Sequence, residues 1–229
     1  MNKHIQKHLI AFSAALLWAA IFSFTAISSH ANSMTPESQQ SNYKPPITGT
    51  KLDQYTAHPK RRLVIVTKQG TIKLQLFEKV APKHVANIMT LAKSHFYDGT
   101  TFHRVMPGFM IQGGDPNSKD NDLSNDGTGN GPERLPAEFN EIHHSAGIMS
   151  MARTSDPNSA SCQFFICVAD AGFLDKQYTV FGQVTDGMDV VDKIVNLPDA
   201  TTRTKQQISS QGTNPGKASE IQKMYVEGD

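Results

Sequence analysis

From Leu63 to Val226 the apolar residues of this chain fall in short runs broken by turn residues, and only two stretches carry helical spacing. Leu63-Val64-Ile65-Val66-Thr67 is rich in β-branched residues, Lys68-Gln69-Gly70 is a turn, and Thr71 to Phe77 alternates polar with apolar. Together they predict a β-hairpin with one buried face. Gly147 to Met151, Gln163 to Val168 and Thr179 to Val184 read as further short strands, and Ile221 to Val226 as a closing one. One helix is expected from Pro82 to near His95, with apolar residues at Val85, Ile88, Met89, Leu91 and Ala92, and a second from Met188 to Val195. Many short strands with two isolated helices predict a mainly β fold, a closed antiparallel barrel rather than alternating βαβ units. Residues 113–134, rich in Gly, Asn and Asp, predict a long surface loop.

The N-terminus reads differently. Lys3 and Lys7 precede an uncharged, mostly apolar run from Leu9 to Ile27, and Ser29-His30-Ala31 places small residues at the −3 and −1 positions of a cleavage site. This predicts a signal peptide over 1–31 and a periplasmic protein. The alternative is an uncleaved anchor in the inner membrane, since the run approaches the ~20 residues that span a bilayer. Residues 32–58, rich in Ser, Thr, Gln and Pro, read as a flexible linker, and 59–229 as one folded domain. Losing Lys3 and Lys7 from 22 basic residues leaves 20 against 21 acidic ones, which offers no electrostatic case for nucleic acid. Cys162 and Cys167, on one extended strand, would lie about 16 Å apart. A disulfide needs less than ~7 Å. Two free thiols are expected, at least one of them buried.

The chemistry is concentrated in a few segments. Thr101-Phe102-His103-Arg104-Val105 is followed by Pro107-Gly108-Phe109-Met110-Ile111-Gln112-Gly113-Gly114-Asp115. Then come Gly147-Ile148-Met149-Ser150-Met151-Ala152-Arg153, Ser161-Cys162-Gln163-Phe164-Phe165-Ile166-Cys167, Phe173-Leu174-Asp175 and Val180-Phe181-Gly182-Gln183-Val184. In this order they closely resemble the signature segments of cyclophilins, over about residues 61–197. The resemblance implies an eight-stranded antiparallel barrel, closed and capped by two helices, that accelerates rotation of Xaa-Pro bonds in proline-containing polypeptides. It implies Arg104 as the catalytic residue and Phe109, Met110, Phe165 and Leu174 as walls of a proline pocket. Gln112, Gln163, Ala152 and Arg153 match positions that bond or border the peptide backbone, and Phe173 and Tyr178 occupy two further groove positions. Phe173 stands where many members carry tryptophan and Tyr178 where many carry histidine. Both changes resemble those of bacterial periplasmic members and imply weak cyclosporin binding. The working expectation is a monomer.

The physics can be stated from the residues alone. An Xaa-Pro bond turns slowly because rotation breaks amide conjugation, with a barrier of ~18–20 kcal/mol. No covalent bond breaks, so no nucleophile, metal or cofactor is needed. As the bond twists, the proline nitrogen regains a lone pair, and a guanidinium aimed at it favours the twisted state over either planar one. Phe102, Phe164 and Cys167 read as core. His103 reads as a packed, hydrogen-bonded side chain, and His143-His144 as a solvent-exposed pair rather than a metal site. Ser150 and Ser161 lack the context of a nucleophile. A different class of function stays open beside the isomerase: a module that binds a proline-containing loop, with incidental turnover.

Overall fold

The computed structural model describes residues 43–228, so the expected signal peptide and the first part of the expected linker lie outside the described residues. Eight strands form one antiparallel sheet: β1 (Arg62–Thr67), β2 (Gly70–Leu76), β3 (Arg104–Met106), β4 (Met110–Gly113), β5 (Ile148–Met151), β6 (Phe164–Cys167), β7 (Val180–Asp186) and β8 (Ile221–Glu227). Their order is β3-β4-β6-β5-β7-β2-β1-β8. Alternation decides the inner face. Ile72, Leu74 and Leu76 of β2, Ile111 of β4, Met149 and Met151 of β5, and Phe164 and Ile166 of β6 all enter one buried core.

The closed barrel expected from the sequence is corrected to a curled sheet with a seam. The edge strands β3 and β8 share no ladder. The chain ahead of β3 reaches β8 instead, through the Ile221 N–H to the Thr100 carbonyl at 2.7 Å and the Gly99 N–H to the Ile221 carbonyl at 2.8 Å. β3 cannot pair with β8 because its free edge is taken: the Val105 N–H and carbonyl both bond Thr213, at 2.9 and 2.8 Å.

Two helices cover the core as expected. α1 (Gly49–Tyr55) precedes the sheet. α2 (Pro82–Lys93) packs on β8, and α3 (Met188–Val195) on β2. The cap residue of α2, Ala81, has no side-chain acceptor, and the Glu138 carboxylate takes the Lys83 and His84 N–H groups at 3.1 Å in its place. Gly187 opens α3 with φ +88°, where a Cβ would stand 2.3 Å from the Thr71 carbonyl oxygen. A fourth helix, α4 (Lys205–Gln211), and α1 were not expected, because neither fully buries a residue and their few apolar residues, Leu52 and Tyr55 in α1 and Ile208 in α4, are too sparse for a helical pattern.

The described half of the expected linker is also corrected. Residues 43–58 strap the outer face of the sheet. Ile47 is buried in a cluster with Phe77, Ile142, Ile148 and Val180. Its N–H donates to Gln183 Oε1 at 3.0 Å, and its carbonyl accepts from Gln183 Nε2 at 2.7 Å. Gln75, the β2 residue paired with Gln183, donates to Thr56 Oγ1 at 2.9 Å. Tyr43 closes against Gly147, where any Cβ would collide with its hydroxyl. Both cysteines are free and buried, and burial pushes each thiol up to about 12.

Candidate active site

The same alternation that fills the core turns another set of side chains outward from β3, β4 and β6. Arg104 lies opposite Gln112, and Gln112 opposite Phe165; Met106 pairs with Met110, and Met110 with Cys167. This outward row belongs to a third apolar cluster of Met110, Phe165, Cys167, Ala171 and Leu174, with Met106, Phe109, Ala152 and Tyr178 packed on it. Three connections complete it: the β3–β4 turn carries Phe109, the chain leaving β5 carries Ala152 and Arg153, and a 3-10 turn, Gly172–Leu174, brings Phe173 and Leu174. Between them is an open slot of about 290 Å³. Arg104, Phe109, Met110, Gln112, Ala152, Arg153, Phe165, Phe173, Leu174 and Tyr178 line it. Gln163 sits in an adjoining recess of about 200 Å³ that shares Gln112, Ala152 and Arg153.

Arg104 is held from several sides. Its Nε donates to the Gln211 carbonyl at 3.1 Å, one Nη lies 3.5 Å from Gln112 Oε1, and the other lies 2.9 Å from Met106 Sδ. Among the described residues no carboxylate pairs with it, so its charge is left to whatever enters the slot. Burial pulls its proton affinity below the usual guanidinium range, Tyr178 opposing and Arg203 adding, and at neutral pH it keeps its charge. Gln112 donates to Gln163 Oε1 at 3.0 Å, and Gln163 Nε2 is spent on the Gly129 carbonyl at 2.8 Å. Arg153 gives its Nε to the Gln177 carbonyl at 3.0 Å and lies 4.6 Å from the Tyr178 ring centre. Phe173 is 66% exposed and tilts on Phe109 at 5.3 Å, so it rims the slot instead of filling it.

Phe102 and Phe164 are wholly buried, as expected. His103 is buried and packed beside Arg104, as expected; its contacts to the Thr101 main chain and the Gln163 side chain are too poorly aligned to count as full hydrogen bonds, though both favour its proton. Burial holds it down to about 4. The exposed histidine pair is corrected. His143 is half exposed, between Asp175 at 2.6 Å and Asp170 at 2.5 Å, whereas His144 is fully buried. His144 bonds Asp175 at 2.8 Å and the Ser150 hydroxyl at 2.9 Å, and its ring stacks behind Phe165 at 6.1 Å. Burial works against the Asp175 carboxylate, yet bonds from both histidines hold it down to about 2. Sequence reasoning missed this backing of Phe165, and it missed Gln211, which acts through a carbonyl that any residue would supply.

A family pattern described as "Cyclophilin type peptidyl-prolyl cis-trans isomerase/CLD" matches residues 62–213. A probable peptidyl-prolyl cis-trans isomerase of Brucella suis is 46% identical over 144 residues, spanning 60% of this chain and 73% of that one. Peptidyl-prolyl cis-trans isomerase A of Dickeya dadantii is 40% identical over 161 residues, 68% of this chain and 82% of its own. Among solved structures, a Cryptosporidium parvum cyclophilin crystallised in the presence of the dipeptide Ala-Pro aligns with a TM-score of 0.62 at 29% identity, covering 73% of this chain and 99% of that one.

Proposed function

The chain belongs to the cyclophilin-type peptidyl-prolyl cis-trans isomerases, and from that membership we propose that its Arg104 groove accelerates Xaa-Pro rotation in exported proteins and so assists their folding. It is an isomerase of this class. The observation that carries the assignment to this groove is Arg104: a guanidinium without a carboxylate partner beside an open apolar slot of about 290 Å³.

In this reading a proline ring enters between Phe109, Met110, Phe165 and Leu174 and is held still while its acyl side turns. Arg104 donates to the nitrogen as that atom loses conjugation. One hydrogen bond to a charged group is worth ~1.5–3 kcal/mol. Lowering a ~100 s relaxation to milliseconds, roughly 10⁵-fold, needs about 7 kcal/mol. The remainder must come from the dry walls, which strengthen the charge and fix the geometry. Gln112, Gln163, Ala152 and Arg153 would bond or border the peptide backbone alongside, with Phe173 and Tyr178 at the rim. No step moves a proton, so the role of His103 is packing.

Arg104→Ala should lower kcat/KM on a proline tetrapeptide about 100-fold, the worth of one charged hydrogen bond, with the thermal midpoint nearly unchanged. Full activity in that variant overturns the assignment. Tight binding of a nonisomerisable proline analogue with negligible turnover by the wild type would favour the binding-module reading. Export rests on the sequence of residues 1–31, and N-terminal sequencing of the protein recovered from cells tests cleavage before Asn32. Phe173 offers no indole N–H, so cyclosporin should bind weakly; nanomolar inhibition of the purified enzyme contradicts this.

A further inference from the structure

α4 and its flanks bury no helix residue, yet they are tied firmly to β3, the strand that carries Arg104. Thr213 bonds Val105 through both main-chain groups, the Gln211 carbonyl takes Arg104 Nε, and an Arg203 Nη donates to the Gly212 carbonyl at 3.1 Å. A capping box between Thr204 and Gln207 starts the helix, and Gly212, at φ +81°, ends it. A short helix with no core role, fastened at both ends beside a catalytic side chain, acts as a wall.

Behind that wall is a recess of about 300 Å³ that meets the proline slot at Arg104 and Gln112. Its charged groups are Arg104, Arg203 and Asp126, and Ser210 adds a hydroxyl. Arg203 is close enough for its charge to act against that of Arg104. Among the described residues neither guanidinium has a carboxylate partner, because Arg203 is held by a main-chain carbonyl. Asp126 accepts from Asn214 Nδ2 at 2.7 Å through one carboxylate oxygen, and its other oxygen is buried without a hydrogen-bond partner. His103 also lines the recess, neutral at physiological pH. The recess therefore carries two cations against one carboxylate, at one step along the groove from the proline.

We infer that this recess is a specificity subsite for an acidic side chain, aspartate or glutamate, flanking the isomerised proline, with Arg203 as its specificity-determining residue. The inference rests on the proline slot being the substrate site. A carboxylate arriving there would pair with Arg203 and relieve the crowding of two like charges, leaving the Arg104 Nη groups to the proline nitrogen, whereas a neutral side chain would leave the excess positive charge unanswered. The Arg153 side of the slot has no equivalent, since that guanidinium is occupied by the Gln177, Thr154 and Ser155 carbonyls and lies against Tyr178.

The test uses the full chain and peptides differing only in glutamate against glutamine, placed before proline in one pair and after it in another. Isomerisation is followed by NMR exchange, which needs no coupling protease. In the wild type, one pair should show kcat/KM about fivefold higher for glutamate, shrinking as salt rises. Arg203→Gln should bring that ratio to one, and Arg203→Lys should retain part of it, which separates charge from mere support of α4. A wild-type ratio of one in both pairs, or a ratio that survives in Arg203→Gln, overturns the subsite. Failure to turn over any of the four peptides would overturn the isomerase reading of the slot itself.

Discussion

Two stretches of the outer surface of one sheet use similar side chains for different ends. On β2, β5 and β7, outward Gln75, Ile148 and Gln183 are covered by the chain's own segment, residues 43–58. On β3, β4 and β6, outward Arg104, Gln112 and Phe165 are left open. β5 belongs to both, with Ile148 under Ile47 and Ser150 opposite Phe165. On the covered side Gln183 grips one residue by its N–H and its carbonyl, while Ile47 sinks into an apolar cluster. Glutamine amides beside an apolar slot are also found on the open side, at Gln112, Gln163 and Phe165, but there they bond each other and the Gly129 carbonyl. The difference is the guanidinium. On the covered side the Arg62 guanidinium is spent on Gln75 Oε1 and on the Pro59 and Arg61 carbonyls, and binding is static; the open side sets Arg104 beside the slot, where it can favour a twisted bond over a planar one.

The largest test of this contrast is to uncover the covered side. A chain beginning at residue 59 should lose about 3 kcal/mol of stability, combining the burial of Ile47 with that of Leu52 and Tyr55, less the recovered freedom of the strap. The thermal midpoint should fall roughly 6–12 °C. Activity per folded molecule should not change. An unchanged midpoint would mean the strap holds nothing; lost activity in molecules shown to be folded would mean the two sides are not independent.

Acid should act on the open side. The glutamines that hold the strap do not titrate, but His103, beside Arg104, is held down to about 4 by burial. A histidine with a lowered folded value binds its proton more readily when unfolded, so stability is full above about 6.5 and is lost as pH falls toward 4. The loss from this group is at most about 3 kcal/mol. Denaturant titrations at pH 7 and pH 4.5 read it, and His103→Gln should flatten the slope between them. An equal slope in both proteins would assign the acid response elsewhere, with His84 and His144 next in line since burial lowers both.

What could be read beforehand follows the same division. Six of the eight strands were legible from apolar runs between turns, whereas β3 and β4, three and four residues long, came only with the resemblance; the helix from Met188 to Val195 was read to the residue. Arg104, Phe109, Phe165 and Leu174 were legible through the order of their motifs, and the structure brings them to one cavity. Gln75 and Gln183 were not, since a polar residue in an alternating run reads as solvated, and what buries it lies far away in sequence: Ile47 is 136 positions from Gln183. His144 failed for the same reason, its partner Asp175 being 31 positions on. The wall made by α4 left no apolar pattern. Its contact with Arg104 is a carbonyl, and its cation, Arg203, looks like any surface arginine until the fold sets it beside another.

The smallest and sharpest test exchanges one amide on each side. Gln183→Leu leaves the Ile47 N–H and carbonyl unpaired under a buried segment, which should cost about 2 kcal/mol of stability and nothing in turnover. Gln163→Leu removes an amide from a recess that water can enter, so stability should shift by less than about 1 kcal/mol. If Gln163 holds a peptide's main chain as Gln183 holds Ile47, kcat/KM should fall about tenfold, the equivalent of one net hydrogen bond. The two variants should therefore exchange phenotypes, one losing stability and the other rate. Should both lose only stability, the open amides are scaffold, and the likeness between the strap and a substrate ends at Arg104.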